Sequence, residues 1–330
     1  MRLFVTGGAG FIGSNFIRHV LSAYPDDEVT NFDLLSYAAN PESLADIAAD
    51  PRYRFVRGDI CDGSALSEAM QGHDAVVNFA AETHVDRSIL DAAPFVRTNV
   101  LGVQVLLEAV RRLGIARMLH VSTDEVYGSI DVGSFREADS LSPNSPYAAS
   151  KASADLMCRA YAVTHGLDVV VTRSSNNFGP YQFPEKVLPL FVTNLLADQP
   201  VPVYGDGRNI RDWCYVEDNC AGVDLVLRKG AAGEIYNIGA GNEISNLELT
   251  GRLLAIMGKP ESMIRFVPDR PGHDLRYSVD TSKVRALGWK PSRDLDDALE
   301  RTAGWYRDNE WWWRPLKDRA SAGALPTTKV

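Results

Sequence analysis

Cysteine is scarce in this 330-residue chain, with Cys61, Cys158, Cys214 and Cys220 widely scattered and no CxxC pair among them. Such spacing offers neither a disulfide framework nor a zinc-ligand set, so no metal is expected and a reducing, cytoplasmic setting is the simplest. Long apolar runs are missing as well. No window approaches the length that crosses a bilayer, and Met1-Arg2-Leu3-Phe4-Val5 passes straight into a glycine-rich turn with no room for the apolar stretch of a signal peptide. No membrane partner is therefore expected. Basic charge is in deficit: 34 Lys and Arg face 43 Asp and Glu, a net charge of −9, which argues against a surface that tracks a nucleic-acid backbone. No internal repeat is visible.

What is present is an ordinary globular composition, 45% hydrophobic and 23% charged, able to form a substantial core. Short apolar runs at 3–6, 28–32, 53–57, 75–79, 118–122 and 169–172 read as buried strands, and stretches of helical spacing at 12–21, 65–70, 100–113 and 148–164 lie between them. The alternation implies an α/β protein built on a Rossmann-type, doubly wound parallel sheet covered on both faces. From about residue 176 the pattern loosens into loops such as Gly179-Pro180-Tyr181 and Arg270-Pro271-Gly272-His273. The expected organisation is a dinucleotide-binding domain at 1–175 and a smaller C-terminal α/β ligand lobe at 176–330, parts of which are free to return to the first domain. The tail from about 321 is expected to be poorly ordered.

Directly after the first strand stands Thr6-Gly7-Gly8-Ala9-Gly10-Phe11-Ile12-Gly13, a GxxGxxG arrangement leading into an amphipathic helix. A dinucleotide pyrophosphate needs backbone to approach closely at a positively polarised helix start, and glycines remove the side chains that would block it. The same turn also serves merely to pack a helix on a sheet. Asp33 ends the next strand, twenty residues beyond Gly13, where a carboxylate can receive ribose hydroxyls; the following Leu34-Leu35-Ser36 offers no Arg for a 2′-phosphate, which favours NAD over NADP. Asp59-Ile60, at the following strand end, can frame the adenine.

Farther on, Ser122-Thr123-Asp124-Glu125 closes a strand, and Ser145-Pro146-Tyr147-Ala148-Ala149-Ser150-Lys151 opens a helix with Ser145 as N-cap. Tyr147 and Lys151, four apart, share a helical face, and an ammonium beside a phenol is expected to favour the phenolate. An adjacent Asp-Glu pair supplies both an acid and a base, although on spacing alone it also fits a solvated turn.

Together these residues resemble the extended short-chain dehydrogenase/reductases, and within them the sugar-nucleotide 4,6-dehydratases. The finer likeness lies in Ala80-Ala81-Glu82-Thr83-His84-Val85-Asp86-Arg87-Ser88, Ser122–Gly128, Ser175–Lys186, Arg211-Asp212-Trp213 and Asp269–His273, and spans the chain to about Trp313. The resemblance implies a bound NAD, a nucleotide-sugar substrate, a homodimer through a four-helix bundle, and conversion of a dTDP-linked glucose into its 4-keto-6-deoxy form. It gives Tyr147 the O4 proton, Glu125 the C5 proton, Asp124 the departing C6 hydroxyl, and Thr123 a hydrogen bond beside Tyr147. The candidate cofactor contacts are Gly7, Gly10, Phe11, Ile12, Gly13, Asp33, Ser36, Asp59, Ile60, Ala80, Ala81 and Thr98, with Tyr147 and Lys151. Candidate substrate contacts are Thr83, Thr123, Asn176, Lys186, Val187, Pro202, Tyr204, Arg211, Asn246, Arg270 and His273. Arg211 suits a diphosphate as a paired donor, or else forms a salt bridge with Asp212 or Glu217. The chain departs from the family at Leu34 and Ala39, where Lys and Gly are common, at Phe178, where Tyr is frequent, and at Thr83, where Ser is. A 4-epimerase or decarboxylase using Tyr147 and Lys151, and a non-catalytic NAD-sensing regulator, are the competing readings.

Overall fold

In the computed structural model the described residues are 1–269 and 271–322. Expectations for Arg270 and for the tail past 322 lie outside them; Ser321 and Ala322 close the last helix, Glu310–Ala322. The strands, in chain order, are β1 Arg2–Thr6, β2 Glu28–Asp33, β3 Tyr53–Arg57, β4 Ala75–Asn78, β5 Arg117–Thr123, β6 Val169–Ser174, β7 Asn176–Phe178, β8 Val201–Tyr204, β9 Ile210–Tyr215, β10 Ile235–Ile238, β11 Glu243–Ser245 and β12 Ile264–Val267. Seven of them form one sheet in the order β10-β6-β5-β4-β1-β2-β3, every pairing parallel.

Period-two alternation explains why these short runs are strands. Leu3 and Val5 of β1 enter one apolar cluster with Phe16, Ile17 and Val20 of the helix Phe11–Ala23, whereas Phe4 between them enters another with Leu106, Leu107 and Val110 of the helix Val103–Leu113. Successive side chains on a strand point to opposite faces, so both faces must be covered, and both are. The doubly wound sheet expected from the alternation is what forms. Helical periodicity does the complementary work on Val103–Leu113, where Val103, Leu106, Leu107 and Val110 turn one buried stripe to the sheet.

Two features were not legible in the pattern. The helix expected at 100–113 begins earlier, as a π-helical run Val96–Gly102. Inside that run the buried Asn99 donates to Ser150 Oγ at 2.8 Å and to the Glu82 carbonyl at 3.0 Å, and accepts from the Glu82 amide at 2.9 Å. The widened turn thus ties the segment after β4 to the helix Pro146–His165. In the second half, the chain returns to the first sheet: β10 adds its seventh strand beside β6, and the helix Val216–Lys229 packs beside Phe11–Ala23. The remaining strands form a β11-β9-β7 sheet and a β12-β8 pair around a separate cluster that includes Phe178, Phe191, Trp213, Leu253 and Tyr306. No described helix is long and apolar enough to cross a membrane.

Leu106 is fully buried between helix and sheet. Leu106→Ala is expected to cost about 3 kcal/mol of stability, from lost burial plus a residual cavity, and to lower the thermal midpoint measured by circular dichroism.

Candidate active site

The strand order reverses at β1: β2 and β3 lie on one side of it, β4, β5, β6 and β10 on the other. In such a sheet the connections diverge at the C-terminal strand ends and leave a crevice there. A cleft of about 320 Å³ occupies that position, and its walls include residues at or just beyond the strand ends, among them Gly7, Asp33, Asp59, Ala80, Asp124 and Asn176.

The glycine turn forms one end. Gly7 adopts φ +72°, and a Cβ there would meet the Ala80 backbone nitrogen at 2.5 Å; a Cβ on Gly13 would lie 2.4 Å from the Gly7 carbonyl. These contacts leave no room for side chains between β1, the segment after β4 and the helix Phe11–Ala23. Gly10 is the helix N-cap, with no side-chain cap and no acidic residue in the first turn, so the positive helix end is open to an anion. Asp33 is buried, and its carboxylate accepts the Ala9 amide at 2.9 Å and the Leu35 amide at 2.7 Å. It is therefore a brace for the turn as well as an acceptor with lone pairs left over, and burial pushes its carboxyl upward despite those two bonds. Backbone without Cβ atoms, an open helix end and a cleft-lining acid fit a dinucleotide.

At the other end β5 runs into a single 3-10 turn, Asp124–Tyr127, capped by Thr123, whose Oγ1 accepts the Glu125 amide at 3.3 Å. Helix Pro146–His165 begins as expected: Ser145 Oγ accepts the Ala148 amide at 3.1 Å, with Pro146 in the first turn. Ser88 Oγ receives the Tyr147 backbone amide at 3.1 Å and Phe95 meets the Tyr147 ring edge-on at 6.4 Å, so the residue is held at both its backbone and its ring. Burial first, and the charge of Glu125 second, push Asp124 up to about 8. Its Oδ2 is buried and has no hydrogen-bond partner among the described residues. At neutral pH the neutral form of this carboxyl predominates, and its Oδ2 meets no acceptor among the described residues.

The expected lowering of Tyr147 is not what the geometry gives. Burial raises the phenol, the Glu125 and Asp124 carboxyls raise it further, and only the hydrogen bond with Thr123 acts the other way. Lys151 sits on the same helical face, but its Nζ donates to the Val121 carbonyl at 2.7 Å and lies 3.5 Å from His120 Nε2. Burial brings the ammonium itself down to about 8, with Asp155 opposing.

All the candidate residues of the turn and catalytic set line this one cleft, as do Ser36, Ile60, Ala81, Thr83, Thr98, Asn176 and Lys186. Val187 follows Lys186 as the first residue of the helix Val187–Leu196. The others stand apart from the cleft wall. Pro202 and Tyr204 are on β8, paired in register with Arg265 and Val267 of β12, and Tyr204 meets His273 edge-on at 6.4 Å. His273 Nδ1 and Asp269 Oδ1 are 2.6 Å apart. Asn246 begins the helix Asn246–Ile256.

Arg211, on β9, is buried and donates to the carbonyls of Ile210 at 2.7 Å and Asp274 at 2.9 Å, with its guanidinium 4.1 Å over Tyr277; the ion pair considered with Asp212 is replaced by these bonds, and Asp212 instead accepts the Asn242 amide. Its charge still reaches Asp124 and Tyr277. Tyr277, whose phenol is raised by burial and by Glu125, had no signal in any spacing. Tyr37, Gln182, Phe183 and Glu185 also line the cleft, and though they stand in or beside the quoted segments, no motif assigns them a task.

Residues 4–302 match the family described as GDP-mannose 4,6 dehydratase. Over 319 residues the chain is 57% identical to the dTDP-glucose 4,6-dehydratase of an Actinoplanes species, covering 95% of this chain and 100% of the relative. The crystal structure of DesIV, the dTDP-glucose 4,6-dehydratase of Streptomyces venezuelae solved with NAD bound, superposes with a TM-score of 0.94 at 57% identity, covering 96% of this chain and 100% of that one. A UDP-glucuronic acid 4-epimerase from Bacillus cereus, also with NAD, shares the fold at a TM-score of 0.88 but only 30% identity, over 93% of this chain and 99% of the other. A glycine turn, a Tyr-Lys helix face and an acid pair converging on one cleft thus accompany likeness along nearly the whole length, and the chain belongs to the GDP-mannose 4,6 dehydratase family of extended short-chain dehydrogenase/reductases.

Proposed function

We propose that this chain is a dTDP-glucose 4,6-dehydratase, converting dTDP-glucose to dTDP-4-keto-6-deoxyglucose and water with a resident NAD. The observation that carries the reading is the buried, proton-bearing Asp124 beside Glu125 and Tyr147 in the cleft that also holds the glycine turn. An epimerase needs a base and a hydroxyl donor but no acid for a departing hydroxyl. Identity of 57% to the Actinoplanes dehydratase, against 30% to the epimerase, points the same way.

Gly7, Gly10, Phe11, Ile12 and Gly13 would hold the pyrophosphate, Asp33 and Ser36 the adenosine ribose, Asp59 and Ile60 the adenine, and Ala80, Ala81, Thr98 and Lys151 the nicotinamide half. Bound in its oxidised form, NAD supplies a hydride acceptor for C4, a donor for C6, and a positive charge that opposes the upward push on Tyr147. The side chains do the rest. Tyr147 takes the O4 proton, with Thr123 donating to the resulting phenolate. Glu125 removes the C5 proton, which the 4-keto group acidifies, and gives a proton back to C5 once C6 is reduced. Asp124 gives its proton to the C6 hydroxyl as water leaves. Thr83, Asn176, Lys186 and Val187 would meet the sugar, and Pro202, Tyr204, Arg211, Asn246 and His273 the nucleotide; Arg270, given the same task by sequence, lies outside the described residues. Exposed Val96, Leu101, Leu156 and Val163 on the helical segments 96–113 and 146–165 support a homodimer, and a cytoplasmic setting accompanies the reading.

Incubation with dTDP-glucose is expected to yield the alkali-induced absorbance of a 4-keto sugar; a galactose isomer without that absorbance would favour the epimerase. Tyr147→Phe should lower the first oxidation by about 10²- to 10⁴-fold, and Glu125→Gln should accumulate reduced cofactor in a single turnover because hydride leaves C4 while elimination stalls. Asp124 has its own signature. In the unfolded chain its carboxyl ionises near the usual 3.8 and in the folded protein near about 8, so folding becomes progressively less favourable as pH rises between those values. Asp124→Asn removes that slope: thermal melts at both ends of the window should show the variant gaining on the parent towards the alkaline end, while its elimination step is lost.

A further inference from the structure

Three segments meet at one stretch of the cleft wall: residues 34–40 after β2, the helix Val85–Leu90, and the loop 181–186 ahead of Val187–Leu196. Tyr37 is where they join. The Arg87 guanidinium lies 3.8 Å over its ring and Phe183 meets the ring edge-on at 5.8 Å, while burial first and the nearby Glu185 carboxylate second push its phenol up. Arg87 Nη2 in turn donates to Glu185 Oε2 at 3.1 Å. His84, the cap of the short helix, accepts the Arg87 amide at Nδ1 at 3.4 Å, which leaves the ring proton on Nε2, 3.7 Å from Glu185 Oε1. Lys186 Nζ donates to the Thr83 carbonyl at 2.9 Å, a second tie between the same two segments. Glu185 is 14% exposed at its side chain and Arg87 43%, so the carboxylate is enclosed and the guanidinium covers it from outside.

None of these side chains has work to do in proton transfer, yet Tyr37, Phe183, Glu185 and Lys186 line the cleft that runs from Asp33 to Tyr147. A planar guanidinium can stack on an aromatic ring and fork to a carboxylate at the same time, which suits it to hold a loop and a helix to each other. Segment 34–40 gains from such a hold: its backbone is tied at its two ends, by the Leu35 amide on Asp33 and, at Asn40, by the amide on the Ala9 carbonyl at 3.0 Å and the carbonyl accepting the Ser43 amide at 2.9 Å.

We propose that Tyr37, Arg87 and Glu185 form a clasp that closes segment 34–40 over the cleft and retains the dinucleotide from one turnover to the next. The inference rests on the dehydratase reading, in which a hydride taken from C4 is returned to C6 and the cofactor has no reason to leave. Arg87 is a positioning residue, acting through the ring of Tyr37 and the carboxylate of Glu185.

The test is exchange of bound NAD in the holoenzyme against excess radiolabelled NAD, followed by rapid filtration. Arg87→Ala and Tyr37→Leu should each speed exchange by about tenfold, a barrier change of about 1.4 kcal/mol, whereas Tyr37→Phe, which keeps the ring face, should stay within about twofold of the parent. Far-UV circular dichroism at the exchange temperature establishes that each variant is folded. Should Arg87→Ala fail to fold, Arg87→Lys keeps the charge for Glu185 without the planar stack and is expected to speed exchange by a smaller factor. A merely structural role would lower the melting midpoint and leave exchange well below it unchanged. Folded Arg87 and Tyr37→Leu variants that exchange at the parental rate would overturn the clasp alone. A parent chain that takes up no NAD would overturn the dehydratase reading and the clasp with it.

Discussion

The cleft exists because two neighbouring strands send the chain to opposite faces of one sheet. After β1 it turns into the helix Phe11–Ala23, packed with Leu3 and Val5; after β4 it leaves towards the other face, where Phe4 and Val76 lie among Leu106, Leu107 and Val110. The two departures touch at Gly7 and Ala80, where a Cβ would be 2.5 Å from backbone. Much of the cleft wall is hung on strand ends around that divergence, with Tyr147 and Lys151 brought to it by the helix Pro146–His165, and side chains from β2, β5 and β6 reach the same space because parallel strands all end on one side.

Enclosure then sets the proton chemistry. A carboxyl in water would be ionised at neutral pH, but Asp124 is buried beside a second carboxylate, and both effects favour its neutral form. The same enclosure works against Tyr147 as a base, since a phenolate there has to form among carboxyl groups. What else enters the cleft therefore matters to the base, and a cationic cofactor ring is of the sign that helps the phenol ionise.

Behind the site the strands are cross-linked by buried polar side chains. Thr6 donates to Asn78, Asn78 to His120 Nδ1 at 2.9 Å, and His120 Nε2 lies 3.5 Å from Lys151 Nζ, linking β1, β4 and β5 to the catalytic helix. On the far side Asp155 pairs with Arg173 at 2.8 Å, and Arg173 donates to the Tyr127 hydroxyl, which donates to Asn237 of β10. Such groups are costly to leave unpaired in an apolar interior, so the network fixes the helix against the sheet and with it the direction of Tyr147 and Lys151.

The sequence by itself determined much of this. Apolar runs located the first six strands, glycine spacing located the turn, and Ser145-Pro146 located the helix start, each a local signal that a short segment carries alone; the Asp-Glu pair after Thr123 pointed to elimination only together with the motifs around it. Tertiary structure decided what depends on distant neighbours. The four residues of β10, Ile-Tyr-Asn-Ile, are broken by a polar Asn237 and stand among loops, and the free edge of β6 makes them a strand. Tyr37, Arg87 and Glu185 lie on three separate segments and become a cluster only when the lobes close, and Arg211 finds carbonyl partners 63 and 64 residues away. The state of Tyr147 was misjudged from the four-residue spacing to Lys151 because spacing gives a shared face, whereas the pKa is set by burial and by charges from other elements, which no local pattern records.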